Sequence, residues 1–71
     1  MKSLKAFASN LKKLRQQKNL TQQHLAGELG ITLRALRSYE QGVRLPDVTM
    51  ALDIANYFEV TLEDMLNERF D

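Results

Sequence analysis

Apolar residues recur along this chain at helical spacing. Leu4, Phe7, Leu11 and Leu14 stand three or four apart and form one stripe of a first helix, which Ser3 can cap and which runs to about Gln17 or Lys18. Lys5, Asn10, Lys12, Lys13 and Gln16 fall off that stripe and are expected to face water or a ligand. Leu25, Ala26 and Leu29 give the buried face of a second helix, and Leu36 with Tyr39 the inward positions of a third. In a fourth, Val48, Ala51, Leu52, Ala55 and Phe58 share one face with Ile54 beside them; Leu62, Met65 and Leu66 supply the apolar side of a fifth. No segment alternates with period two, so no sheet is expected.

The residues between these stripes punctuate the helices. Lys18-Asn19 ends the first with a cation near the negative end of the helix dipole and a residue tolerant of the left-handed region. Thr21 is an N-cap, and Leu20 with Leu25 has the spacing of a hydrophobic staple. Gly30 closes the second helix, Ile31 plugs the turn, Thr32 caps the third helix and Gly42 ends it. Pro46 marks a boundary and Asp47 caps the fourth helix. Val60-Thr61 opens the fifth, with Thr61 and Asp64 spaced as a capping box, and Glu68 to Asp71 are expected to fray. There are no repeats or low-complexity runs. The expected fold is all-α: one domain over 1–71, a compact five-helix bundle with a central helix-turn-helix at about 21–42 and the last two helices at about 47–69.

Two short helices joined by a three-residue glycine turn form an arrangement whose second helix lies in the DNA major groove. Its physical needs are met in turn. Ala26 is small enough for close crossing, Gly30 permits positive φ, and Ile31 with Leu36 and Tyr39 fills the wedge. Leu33, Arg34, Arg37 and Ser38 on the third helix are required by no core. Arg34, in the first turn, suits bidentate bonding to guanine, and Leu33 suits a thymine methyl. Thr32 adds a hydroxyl to its capping role.

Charge sharpens this picture. Residues 1–44 carry nine Lys and Arg against two acids, a net +7, whereas residues 45–71 carry Arg69 against seven acids, a net −6. A polyanion is attracted to the first part and repelled by the second; Lys12 and Arg44 are candidate phosphate contacts. At 71 residues without cysteine the domain is small enough to gain from a partner, and Leu62, Met65, Leu66 and Phe70 are candidates for a dimer contact. No stretch has the length of a membrane span or signal peptide, so a cytoplasmic, nucleoid-associated protein is expected. His24 is the lone histidine, and Glu63-Asp64 suit a helix start better than acid/base chemistry. Neither an enzyme nor a metal, cofactor or small-molecule ligand is expected.

From Leu11 to Leu66 the chain resembles the phage repressor/Cro-type helix-turn-helix family, the XRE type. The resemblance lies in LKKLRQQKNLTQQHLA, LGITLRALRSYEQGVRLPD and LDIANYFEVTLEDML. It implies a transcriptional regulator, usually dimeric, that binds a two-fold symmetric double-stranded DNA operator, here as a repressor. Position by position, it implies base contacts from Thr32, Leu33, Arg34 and Ser38, with Arg37 alongside on base or phosphate. It also implies backbone contacts from Gln22, Gln41 and Arg44, and an ion pair between Arg15 and Glu40 that ties the first helix to the end of the third. Three positions depart from the family pattern: His24 where an acid is common, Gly27 inside the second helix, and Glu59 where glycine often ends the fourth. The same fold also serves antitoxins, restriction-system controllers and protein-interaction adaptors.

Overall fold

The computed structural model describes residues 2–67. Five helices follow one another: α1 (Lys2–Gln17), α2 (Gln22–Leu29), α3 (Leu33–Gln41), α4 (Val48–Tyr57) and α5 (Leu62–Met65). Among the described residues there is no strand. Ser3 lies inside the first turn of α1 rather than ahead of it, and α5 is one turn only. Phe70, and the expected fraying of Glu68 to Asp71, lie outside the described residues.

One three-residue joint is used three times. Asn19-Leu20-Thr21, Gly30-Ile31-Thr32 and Glu59-Val60-Thr61 each place a left-handed residue first, at φ 57°, 70° and 58°. The apolar residue that follows sends its N–H back to a carbonyl five residues earlier, from Leu20 to Arg15, Ile31 to Ala26 and Val60 to Ala55. This is the Schellman closure, which satisfies carbonyls that a helix end leaves open. All three apolar residues are half-buried against the core. The threonine then takes an extended backbone, and its Oγ1 accepts the N–H three residues on, at 3.0 Å in each case. Gly42-Val43 begins the same closure, with Val43 N–H on the Ser38 carbonyl, but no threonine follows. The chain instead crosses to Asp47, which caps α4 through the Met50 N–H at 2.8 Å.

Phe7, Leu11, Leu25, Leu36, Ile54 and Met65 are fully enclosed and come from all five helices. α4 keeps three residues of the expected face inside but is rotated toward Ile54. Ala51, Ile54, Ala55 and Phe58 are buried, whereas Val48 is 70% and Leu52 43% exposed. The two alanines let the α4 backbone approach its neighbours while Ile54 and Phe58 fill the space beside them. Turning Val48 and Leu52 inward would carry Ile54 out. Asn10 is also corrected. It does not face water but is 1% exposed, and its amide donates to the carbonyls of Asp64, Met65 (2.9 Å) and Asn67 at the end of α5. Met65, expected as a partner contact, is 0% exposed inside the protomer's own core and has no surface to offer.

Candidate nucleic-acid interface

α2 and α3 are held at the glycine turn by Leu25, Ala26, Leu36 and Tyr39, all buried, so the outer side of α3 is free of packing duties. Arg34 and Arg37 are exposed there, with Leu33 and Ser38 partly covered. The two hydroxyls on this face are committed in opposite senses. Thr32 Oγ1 accepts the Ala35 N–H, so its proton points outward as a donor. Ser38 Oγ donates to the Arg34 carbonyl at 3.1 Å, which leaves its lone pairs as outward acceptors.

Beneath this face lies the Arg15–Glu40 pair. Arg15 Nε meets Glu40 Oε2 at 2.6 Å and its Nη2 meets Oε1 at 3.1 Å, a two-pronged bond between side chains only 12% and 3% exposed. The remaining Arg15 amino group donates to the Leu20 carbonyl at 2.8 Å. The first joint and the end of α3 are thereby tied to α1. Gln22 extends the chain of bonds outward, its Nε2 donating to Glu40 Oε1 at 3.1 Å and its Oε1 facing Arg37 Nε at 3.5 Å.

At the end of α3, Gln41 is exposed and the Arg44 guanidinium lies 5.3 Å from the centroid of the Tyr39 ring. That cation–π contact turns Arg44 back alongside α3. A Cβ on Gly42 would stand 3.6 Å from that of Ala8, so α3 ends close against α1. Lys12 is exposed on α1.

Two other surface features stand apart from this face. Glu28 accepts from the Tyr57 hydroxyl at 3.4 Å and lies 4.0 Å from His24 Nε2, while Lys18 sits over the Tyr57 ring. Desolvation, then the Glu28 charge, then this hydrogen bond push the Tyr57 hydroxyl above its ordinary pKa. An apolar surface begins where α3 ends, with Val43, Leu45, Val48 and Leu52 exposed. Leu45, Val48, Leu62 and Leu66 border a shallow cleft of about 160 Å³ with Phe7 at its base. Among the described residues no three His, Cys, Asp or Glu come together as a metal site, and no helix is long and apolar enough to cross a membrane.

The profile of the helix-turn-helix family matches residues 11–65, and the chain belongs to that family, in its Cro/C1-type branch. Over 60 residues it is 48% identical to the uncharacterized HTH-type transcriptional regulator YqaE of Bacillus subtilis, a match covering 84% of this chain and 52% of that protein. It is 34% identical over 61 residues to the HTH-type transcriptional activator BcrR of Enterococcus faecalis, covering 86% and 30%. A third relative, the uncharacterized HTH-type transcriptional regulator MJ0272 of Methanocaldococcus jannaschii, is 37% identical over 57 residues, covering 80% and 86%. The chain thus spans about half of YqaE and less than a third of BcrR. No solved structure matches.

Proposed function

We propose that this protein is a sequence-specific double-stranded DNA-binding repressor that reads a two-fold symmetric operator as a homodimer. The observation that carries the reading is the division of α3 into an enclosed inner side, Leu36 and Tyr39, and an outer side with Arg34 and Arg37 exposed. Arg34 reads bases, with Leu33, Thr32 and Ser38 around it; Lys12, Gln41 and Arg44 hold the backbone.

One such helix reads too few base pairs to compete against a genome of other sites. Two copies on a dyad place their helices about one DNA turn, ~34 Å, apart. In this reading the two copies meet through a flank near the end of α3. The apolar surface of Leu45, Val48 and Leu52, with Leu62 and Leu66 behind it, lies on that flank. BcrR bears the name of an activator. Repression here follows from occupancy alone, and a reporter behind the selected operator tests its sign.

The test of DNA reading is selection of duplexes from a random pool at fixed salt, followed by competition. Wild type is expected to enrich an inverted repeat, and Arg34→Ala to lose the preference. Selection of no sequence at all, or an unchanged preference in Arg34→Ala, would overturn the reading.

A further inference from the structure

Resting on that DNA-binding reading, we infer that Gln22 is a positioning residue that aims Arg37 at a DNA phosphate, and is not itself the phosphate ligand. Glu40 is a nearly buried carboxylate that can only accept, and it already takes two prongs from Arg15. Gln22 therefore turns its amide nitrogen inward, to Glu40 Oε1 at 3.1 Å, and its carbonyl oxygen outward. An outward carbonyl repels a phosphate oxygen. What it meets is the Nε–H of Arg37, at 3.5 Å. An arginine held through Nε keeps the edge carrying its two amino groups free, and that edge fits two phosphate oxygens side by side.

The direction of the tether decides between phosphate and base. In a helix-turn-helix pair the first helix crosses the DNA backbone while the second enters the groove. Gln22 opens the first helix of the pair, so it draws the Arg37 guanidinium away from the base edges and toward the strand that α2 crosses. Arg37 thereby leaves the base-reading set, and Arg34 stands as its single arginine. The relay runs from Arg15 through Glu40 and Gln22 to Arg37, linking a nearly buried ion pair to an exposed charge.

The test is a double-mutant cycle on the full chain with Gln22→Met and Arg37→Ala. Binding is titrated against a pool-selected duplex and an unrelated duplex over a range of salt. Arg37→Ala is expected to weaken both duplexes by the same factor, about tenfold, and to lower the salt slope by about one. Gln22→Met alone is expected to cost about threefold, the ordering it no longer provides, and nothing further once Arg37 is gone. Arg37→Lys keeps the charge without the planar two-pronged edge and is expected to bind several-fold weaker than wild type. An equal Gln22→Met loss with and without Arg37 makes Gln22 the direct ligand and overturns the inference; so does an Arg37→Ala loss confined to the selected duplex. Those results leave Arg34-dependent selectivity standing, whereas failure of the DNA reading removes selectivity from wild type itself.

Discussion

The side-chain amide of Asn10 donates to the main-chain carbonyl of Met65 at 2.9 Å, across 55 residues of sequence and inside the core. Backbone N–H groups of Leu66 and Asn67 close the carbonyls of Leu62, Glu63 and Asp64, and the Asn10 side chain supplies the donor at Met65. Asn10→Ala takes the donor from the buried Met65 carbonyl and the side-chain donor from those of Asp64 and Asn67, and opens a small void. The expected cost is about 2 kcal/mol in urea unfolding, with Asn10→Leu no better because its volume brings no donor. A loss under half a kilocalorie would mean that water serves those carbonyls equally well.

Two backbone positions are expected to tolerate improvement. Glu59 holds φ 58°, where a side chain costs about 1 kcal/mol and glycine costs nothing locally. Glu59→Gly is expected to stabilise by somewhat less than that, since glycine also loosens the unfolded chain. Gly27 sits in α2 with nothing within 4 Å of an added Cβ, so Gly27→Ala is expected to gain about 1 kcal/mol. Thermal midpoints of the two single variants check both.

The helices and the exposed outer side of α3 were legible because they rest on local chemistry. Thr21, Thr32, Asp47 and Thr61 cap where a short side-chain oxygen precedes an apolar stripe, and each binds the N–H three residues on. Arg34 stood out because no core needs it. What periodicity missed was decided between elements. Val48 and Leu52 fit an apolar face as well as Ile54 does; Ala51, Ala55 and Phe58 are common to both choices, and packing between elements leaves Ile54 inside and the other two out. Asn10 reads as a surface residue until the partner carbonyls, more than fifty positions away, are known. Met65 has the composition of a contact residue and the location of a core residue. A hint was present in its spacing from Val60, the staple pattern that holds such residues inward.

The Arg15–Glu40 bond is expected to matter for folding and not for sequence preference. Glu40→Ala strands an arginine that is 12% exposed, at a cost of about 3 kcal/mol. Arg15→Ala is expected to cost a similar amount, and the double variant less than the sum. In competition assays run well below the unfolding midpoint, the preferred duplex should stay the same in all three. A changed preference would make the pair part of the reading surface.

The Tyr57 hydroxyl supplies a pH marker. Its folded pKa lies above its ordinary value of 10.0, so the stabilisation tied to its proton is present below that value and is lost as pH rises through the raised one. Glu28→Gln removes the charge and weakens the hydrogen bond but leaves the desolvation. The phenolate transition, followed by ultraviolet absorbance, should move down without reaching that of free tyrosine. No movement would mean that Glu28 does not act on Tyr57 in solution.

Val48 tests the dimer. It is 70% exposed, so Val48→Glu takes nothing from the protomer's core and should leave the helical circular-dichroism spectrum of the folded chain unchanged. On a surface shared by two copies, the same change sets a charge against its own image beside Leu45 and Leu52. Sedimentation is expected to show wild type as a dimer and the variant as a monomer. Salt separates the two kinds of contact. From Leu45 to Asn67 the chain has five acids and neither lysine nor arginine, so raising salt screens repulsion between two such flanks and tightens the dimer. The same salt weakens DNA binding. On a duplex with one half-site the variant should bind as wild type does, whereas on an inverted repeat it should lose the second copy's contribution. If Val48→Glu still sediments as a dimer, the two copies meet elsewhere. If wild type is monomeric even on the inverted repeat, the two-fold reading fails while single-site recognition through Arg34 stands.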